Sequence, residues 1–144
     1  MIESDTIKLL RECDAGVKMG VDSIDSVIDR VKSRTMKKTL NKSKDEHEIL
    51  RAEISNMLAR FGDDGKEPTL MARSMSHLKT NMKMMAQPND STVADLMTDG
   101  CNMGVKSLNK YLNQYKAADE KSKDITKKLI NLEQKLALDI RDFL

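Results

Sequence analysis

From Met36 to Phe61 the chain sets Met36, Leu40, Ser43, His47, Leu50, Ile54, Met57 and Phe61 at uninterrupted steps of four and three residues. A side chain returns to the same side of an α-helix every 3.6 residues, so this spacing predicts one stripe turned toward a core. The same rhythm runs through Leu10, Cys13, Val17, Val21, Ile24, Ile28 and Val31. It returns in Met71, Met75, Leu78, Met82 and Met85, and in Val93, Met97, Cys101, Gly104, Leu108, Tyr111 and Tyr115. A last helix is marked by Ile125, Leu129, Leu132, Leu136, Ile140 and Phe143. No stretch alternates with period two over strand length, and the only prolines, Pro68 and Pro88, stand in breaks. The expectation is an all-α protein.

Local signals mark the helix ends. Ser4 or Asp5 is expected to cap the first helix, whose pattern runs to about Lys32. Gly62 is placed to end the second in the left-handed conformation, and Pro68 suits the first position of the third. Asn89, Asp90 or Ser91 can cap the fourth. The charged passage "KAADEKSKD" leads into the fifth.

At 144 residues the chain fits a single domain, residues 1–144. With 3% aromatics and no Trp, its core must be built from Leu, Ile, Val and eleven Met. A net charge of +2 gives no global basic field for nucleic acid or anionic membrane, so neither partner is expected. Cys13 and Cys101 fall short of a disulfide framework or a metal knuckle and read as buried thiols of a reducing compartment. No charged leader with an apolar segment is seen, and no run approaches the ~18 apolar residues that span a bilayer. A cytoplasmic location is the expectation.

The words "MGVDSI" (19–24) and "MGVKSL" (103–108) lie 84 positions apart. At that offset Gly16, Met19, Gly20, Val21, Ser23 and Lys32 meet Gly100, Met103, Gly104, Val105, Ser107 and Lys116. A two-residue gap then sets Ile54, Leu58 and Phe61 on Leu136, Ile140 and Phe143. The halves, about 4–62 and 90–144, each read as a helical hairpin, joined by a crossover of about 63–89 that holds a shorter helix. A glycine inside a helix costs about 1 kcal/mol against alanine. The matched pairs Gly16/Gly20 and Gly100/Gly104 are therefore expected to let the first and fourth helices approach backbone against backbone.

Two antiparallel pairs with one long crossover make a ferritin-like four-helix bundle. The passages "DAGVKMGVDSIDSVIDRV…LNKSKDEHEILRAEISNML", "DGCNMGVKSLNKYLNQY" and "LEQKLALDIRDFL" resemble bacterial ferritin-like proteins of Gram-positive anaerobes, a group of unknown function. The resemblance spans essentially the whole chain and rests on packing motifs, so it implies a fold and no activity.

Di-iron members of that architecture set an inward Glu on two helices and Glu-x-x-His on the other two. Here Lys44 precedes His47 by three and Ser74 precedes His77, while Val17, Gly20, Val21, Cys101, Gly104 and Leu108 fill the inward middles of the first and fourth helices. A di-iron oxidase or iron store is disfavoured, and no cofactor is expected. His47, on an apolar stripe, reads as a buried histidine bonded to Ser43 or a neighbouring helix; the alternative is a rearranged metal site with Glu46, Glu48 or Glu53. Met75, His77, Met82 and Met85 form a loose soft-metal set for iron's alternative, Cu(I), but their spacing reads first as core or self-association surface. Residues 30–44, "RVKSRTMKKTLNKSK", hold seven bases and no acid, making Lys32, Arg34, Lys37 and Lys38 an anion-patch candidate. Without aromatics for base stacking, a solvated helix end is the simpler reading. No catalytic set or phosphate loop is recognisable. The sequence thus points to a non-catalytic bundle with a structural or protein-interaction role, expected as a homodimer.

Overall fold

The computed structural model describes residues 2–144, except for the side chain of Met71. Five α-helices carry the chain: α1 (Ile2–Val27), α2 (Arg34–Ala59), α3 (Leu70–Ala86), α4 (Asp90–Gln114) and α5 (Glu120–Ile140). Single 3₁₀ turns follow α1 (Ile28–Arg30) and α5 (Arg141–Phe143). Among the described residues there is no strand.

The four long helices share two apolar clusters, one toward each end. Leu9, Leu10, Cys13 and Val17 of α1 meet Ile54 and Leu58 of α2, Leu108 of α4, and Ile125 and Leu129 of α5. At the other end Ile24 and Val27 meet Met36, Leu40, Val93, Ala94, Met97, Cys101, Leu136 and Ile140. Reading which end of each helix enters which cluster fixes the directions. The helices α1 and α5 run one way, α2 and α4 the other, and α3 carries the chain from the Leu58 end back to the Val93 end. Neighbours around the bundle follow the order α1, α2, α5, α4, with α3 laid over α1 and α4.

Each end is tied by side chains reaching across helices. The Asp90 carboxylate, at the start of α4, accepts from the Lys32 and Ser33 amides in the α1–α2 turn at 2.8 and 2.9 Å. At the opposite end Asp5 and Thr6, near the start of α1, accept from the Ala117 and Asp119 amides in the α4–α5 turn at 3.0 and 2.8 Å. The α1 helix therefore starts before the expected caps, and Asp5 satisfies a distant turn instead of its own helix. Asn89 caps α4 as expected, accepting from the Thr92 amide at 2.9 Å. Thr69 rather than Pro68 opens α3, accepting from the Ala72 amide at 3.1 Å. Gly62 takes φ +69°, the left-handed stop its position requires.

The α2–α3 loop is clamped to α1 through Asp14. Its Oδ2 accepts from the Lys66 amide at 2.9 Å and from Lys18 Nζ at 2.7 Å. Gly65 has φ +93°, and a Cβ there would run into that carboxylate, so both backbone and space demand glycine.

One expected face is reversed. Met75, Leu78, Met82 and Met85 point to solvent, exposed by 65, 61, 63 and 85%. The opposite side of α3 faces the bundle, with Thr80 and Met84 buried. On this rotation Arg73, Lys79 and Lys83 pair with Asp22 of α1 and with Asp99 and Asp95 of α4. Met84 completes the Ile24–Val93 cluster. The core half of the sequence reading for this stripe is thus corrected.

Candidate functional site

Between the two apolar clusters the bundle contains a polar layer. His47 of α2 and Glu133 of α5 meet there, Nε2 to Oε1 at 2.8 Å, with 1% and 8% of their surfaces exposed. On the other side of the ring, Nδ1 lies 2.7 Å from the Ser43 carbonyl and 3.4 Å from the Ser43 hydroxyl. A carbonyl can only accept, so Nδ1 carries a hydrogen. The second proton of the pair then sits between Nε2 and Oε1, and the unit is neutral in sum whether written imidazolium–carboxylate or imidazole–carboxylic acid. A buried pair in that condition avoids an uncompensated charge in the core.

The local electrostatics follow from burial and from that partner. Burial presses the His47 pKa down, but the Glu133 carboxylate and the Ser43 carbonyl outweigh it, and the net shift is upward. Burial drives the Cys101 thiol far above its ordinary value, and the Glu133 carboxylate beside it adds to the rise. Burial pushes Cys13 up to about 12 despite a hydrogen bond with Thr126 Oγ1. Both cysteines are free thiols, in different clusters, and neither is a nucleophile near neutral pH.

The glycines take their meaning from this pair. A Cβ on Gly20 would stand 2.8 Å from His47 Cδ2 and Nε2 and 3.3 Å from Glu133 Oε1. At Gly104 it would lie 3.7 Å from the Glu133 carboxyl carbon. At Gly16 it would touch only Leu108 and Leu129 methyls at 3.9 Å, and at Gly100 nothing within 4 Å. The expected backbone-on-backbone contact is corrected: Gly20 makes room for side chains of α2 and α5, Gly104 for one of α5, and Gly100 is exposed.

The other candidates disperse. Glu48 and Glu53 are exposed on the outside of α2. Glu46 lies 3.7 Å from Lys135 across a groove of about 310 Å³ between α2 and α5. His77 is exposed on α3. Among the described residues no three His, Cys, Asp or Glu side chains converge as metal ligands. Lys32, Arg34, Lys37 and Lys38 are all exposed at the α1–α2 end. No helix among the described residues is long and apolar enough to cross a membrane.

Glu133 is the residue that sequence reasoning passed over. It stands four residues after Leu129 and three before Leu136, beside Leu132, and so lies on the edge of the buried stripe of α5. That spacing was a usable signal. Helical spacing around His47 relates it only to residues of its own helix, and its partner lies 86 positions away. No family model, no curated protein and no solved structure matches the chain.

Proposed function

We propose that the chain is a ferritin-like bundle without a di-iron centre, serving a structural or protein-interaction role rather than a catalytic one. One observation carries the reading: among the described residues the middle of the bundle holds one carboxylate, Glu133, already bonded to one imidazole, His47, while α1 and α4 offer Gly20 and Gly104 at that level. A di-metal centre needs carboxylates from all four helices to bridge and neutralise two hard cations. The crossover of α3 between two parallel helices supports the ferritin-like assignment. So do the reciprocal ties, Asp90 onto one hairpin turn and Asp5 with Thr6 onto the other, which relate the two halves as a repeat would.

The test is elemental analysis of protein purified from its native host. The expected result is no stoichiometric Fe, Mn or Cu. The second reading, an iron or copper protein with rearranged ligands, draws its support from the His47 Nε2–Glu133 contact alone, with the Cys101 thiol beside the same carboxylate. Stoichiometric metal that disappears in both His47→Ala and Glu133→Ala would establish that reading and overturn the first.

A further inference from the structure

The helix α3 is amphipathic in an unusual sense: its charged side is bonded to its own bundle and its apolar side is left outside. All three charged residues of α3, Arg73, Lys79 and Lys83, are engaged by acids on α1 and α4. Beside them, Met75, Leu78, Met82 and Met85 form an exposed strip about 15 Å long. Leu70, 81% exposed, extends the apolar character toward the helix start. A strip of this kind on a soluble domain marks a surface that a partner covers.

We propose that the partner is a second copy of this chain, with the two α3 helices packed antiparallel about a two-fold axis at the level of Thr80. A two-fold interface requires a patch complementary to itself. Here the spacing supplies that property. The strip advances by three, four and three residues, so it reads the same in both directions about residue 80. An antiparallel copy sets Met75 against Met85 and Leu78 against Met82, twice each. The strip itself carries no charge, and Lys79, which flanks it next to the axis, is neutralised by its pairing with Asp99 before a copy approaches. The flexible thioethers of three methionines let the two strips interdigitate without demanding one fixed shape. This proposal rests on the interaction role given above but not on the contents of the polar layer. A metal at His47 would leave the dimer standing, and a monomer would leave the metal-free centre standing.

The experiment is sedimentation equilibrium of the full chain at about 100 µM, a concentration at which a micromolar complex is saturated. Wild type is expected at twice the 16.3 kDa chain mass. The exposed positions allow charge variants that do not disturb the core. Leu78→Lys with Met82→Lys places like charges across the axis and is expected to give monomer. Leu78→Lys with Met82→Glu places Lys opposite Glu in the antiparallel register and is expected to return the dimer. Wild-type monomer would overturn the proposal. So would a dimer that persists in the Lys/Lys variant, which would locate the interface elsewhere. A Lys/Glu variant that stays monomeric would overturn the antiparallel pairing.

Discussion

Replacing Gly20 with alanine tests the polar layer more sharply than replacing His47 itself, because it exchanges one hydrogen for a methyl group and removes no heavy atom. On helix propensity alone the change stabilises α1 by about 1 kcal/mol. The new Cβ, however, would sit 2.8 Å from two atoms of the His47 ring. That ring has no slack: it is held at 2.7 Å by the Ser43 carbonyl and at 2.8 Å by Glu133, and only 1% of its surface reaches solvent. Forcing it back costs about 2 kcal/mol as overpacking, within the usual range of 1–3. Stretching a hydrogen bond between charged partners adds about 1 kcal/mol more. The net expectation is a loss of about 2 kcal/mol, or roughly 6–8 °C in Tm for a domain of this size. Gly100→Ala is the internal control, since its Cβ meets nothing within 4 Å and the propensity gain of about 0.5–1 kcal/mol stands alone. Urea unfolding of both variants should therefore move the midpoint in opposite directions with unchanged slope. In a His47→Ala background the obstruction is gone, and Gly20→Ala should turn from a loss of about 2 kcal/mol to a gain of about 1, a coupling energy of about 3 kcal/mol. A Gly20→Ala variant as stable as wild type, or a penalty that persists without His47, would refute the role given to this glycine.

The His47–Glu133 pair should also mark the pH dependence of stability. Burial lowers the histidine's proton affinity but Glu133 and the Ser43 carbonyl raise it more, so its folded pKa lies above the ordinary 6.5. A raised folded value means that the contribution is complete below the unfolded pKa and is lost as pH climbs through the folded one. Between about pH 6 and about pH 9 the urea midpoint of wild type should fall by more than that of Glu133→Gln, and parallel curves would contradict the pairing. Gly65→Ala, which sets a side chain at φ +93° into the Asp14 carboxylate, should cost about 3 kcal/mol by thermal unfolding; a loss under about 1 kcal/mol would mean the α2–α3 loop is not held there. Asp90→Ala should cost about 1–2 kcal/mol and speed amide exchange at Lys32 and Ser33 while leaving Ala117 protected, and unchanged exchange would refute the tie.

Much of this molecule is legible in one dimension because helices are local objects. The four–three spacing from Met36 to Phe61 gives α2 before any contact is known, and the deviations fall at its ends, where Phe61 lies beyond Ala59 in the turn. Gly62 and Asn89 do what their chemistry requires at a helix stop and a helix start. The burial of His47 also follows from its place on the stripe. What the chain order could not settle is how each helix is turned about its own axis and which distant residue it meets there. On α3 the apolar spacing is helical on either rotation, and the one adopted buries Thr80 and Met84, forms three ion pairs to α1 and α4, and leaves the other methionines outside. In the polar layer Gly20, His47, Gly104 and Glu133 come from four helices and are brought together only by packing. Periodicity fixes which residues share a side of one helix; the free energy of pairing charges and filling space among several helices decides what that side faces.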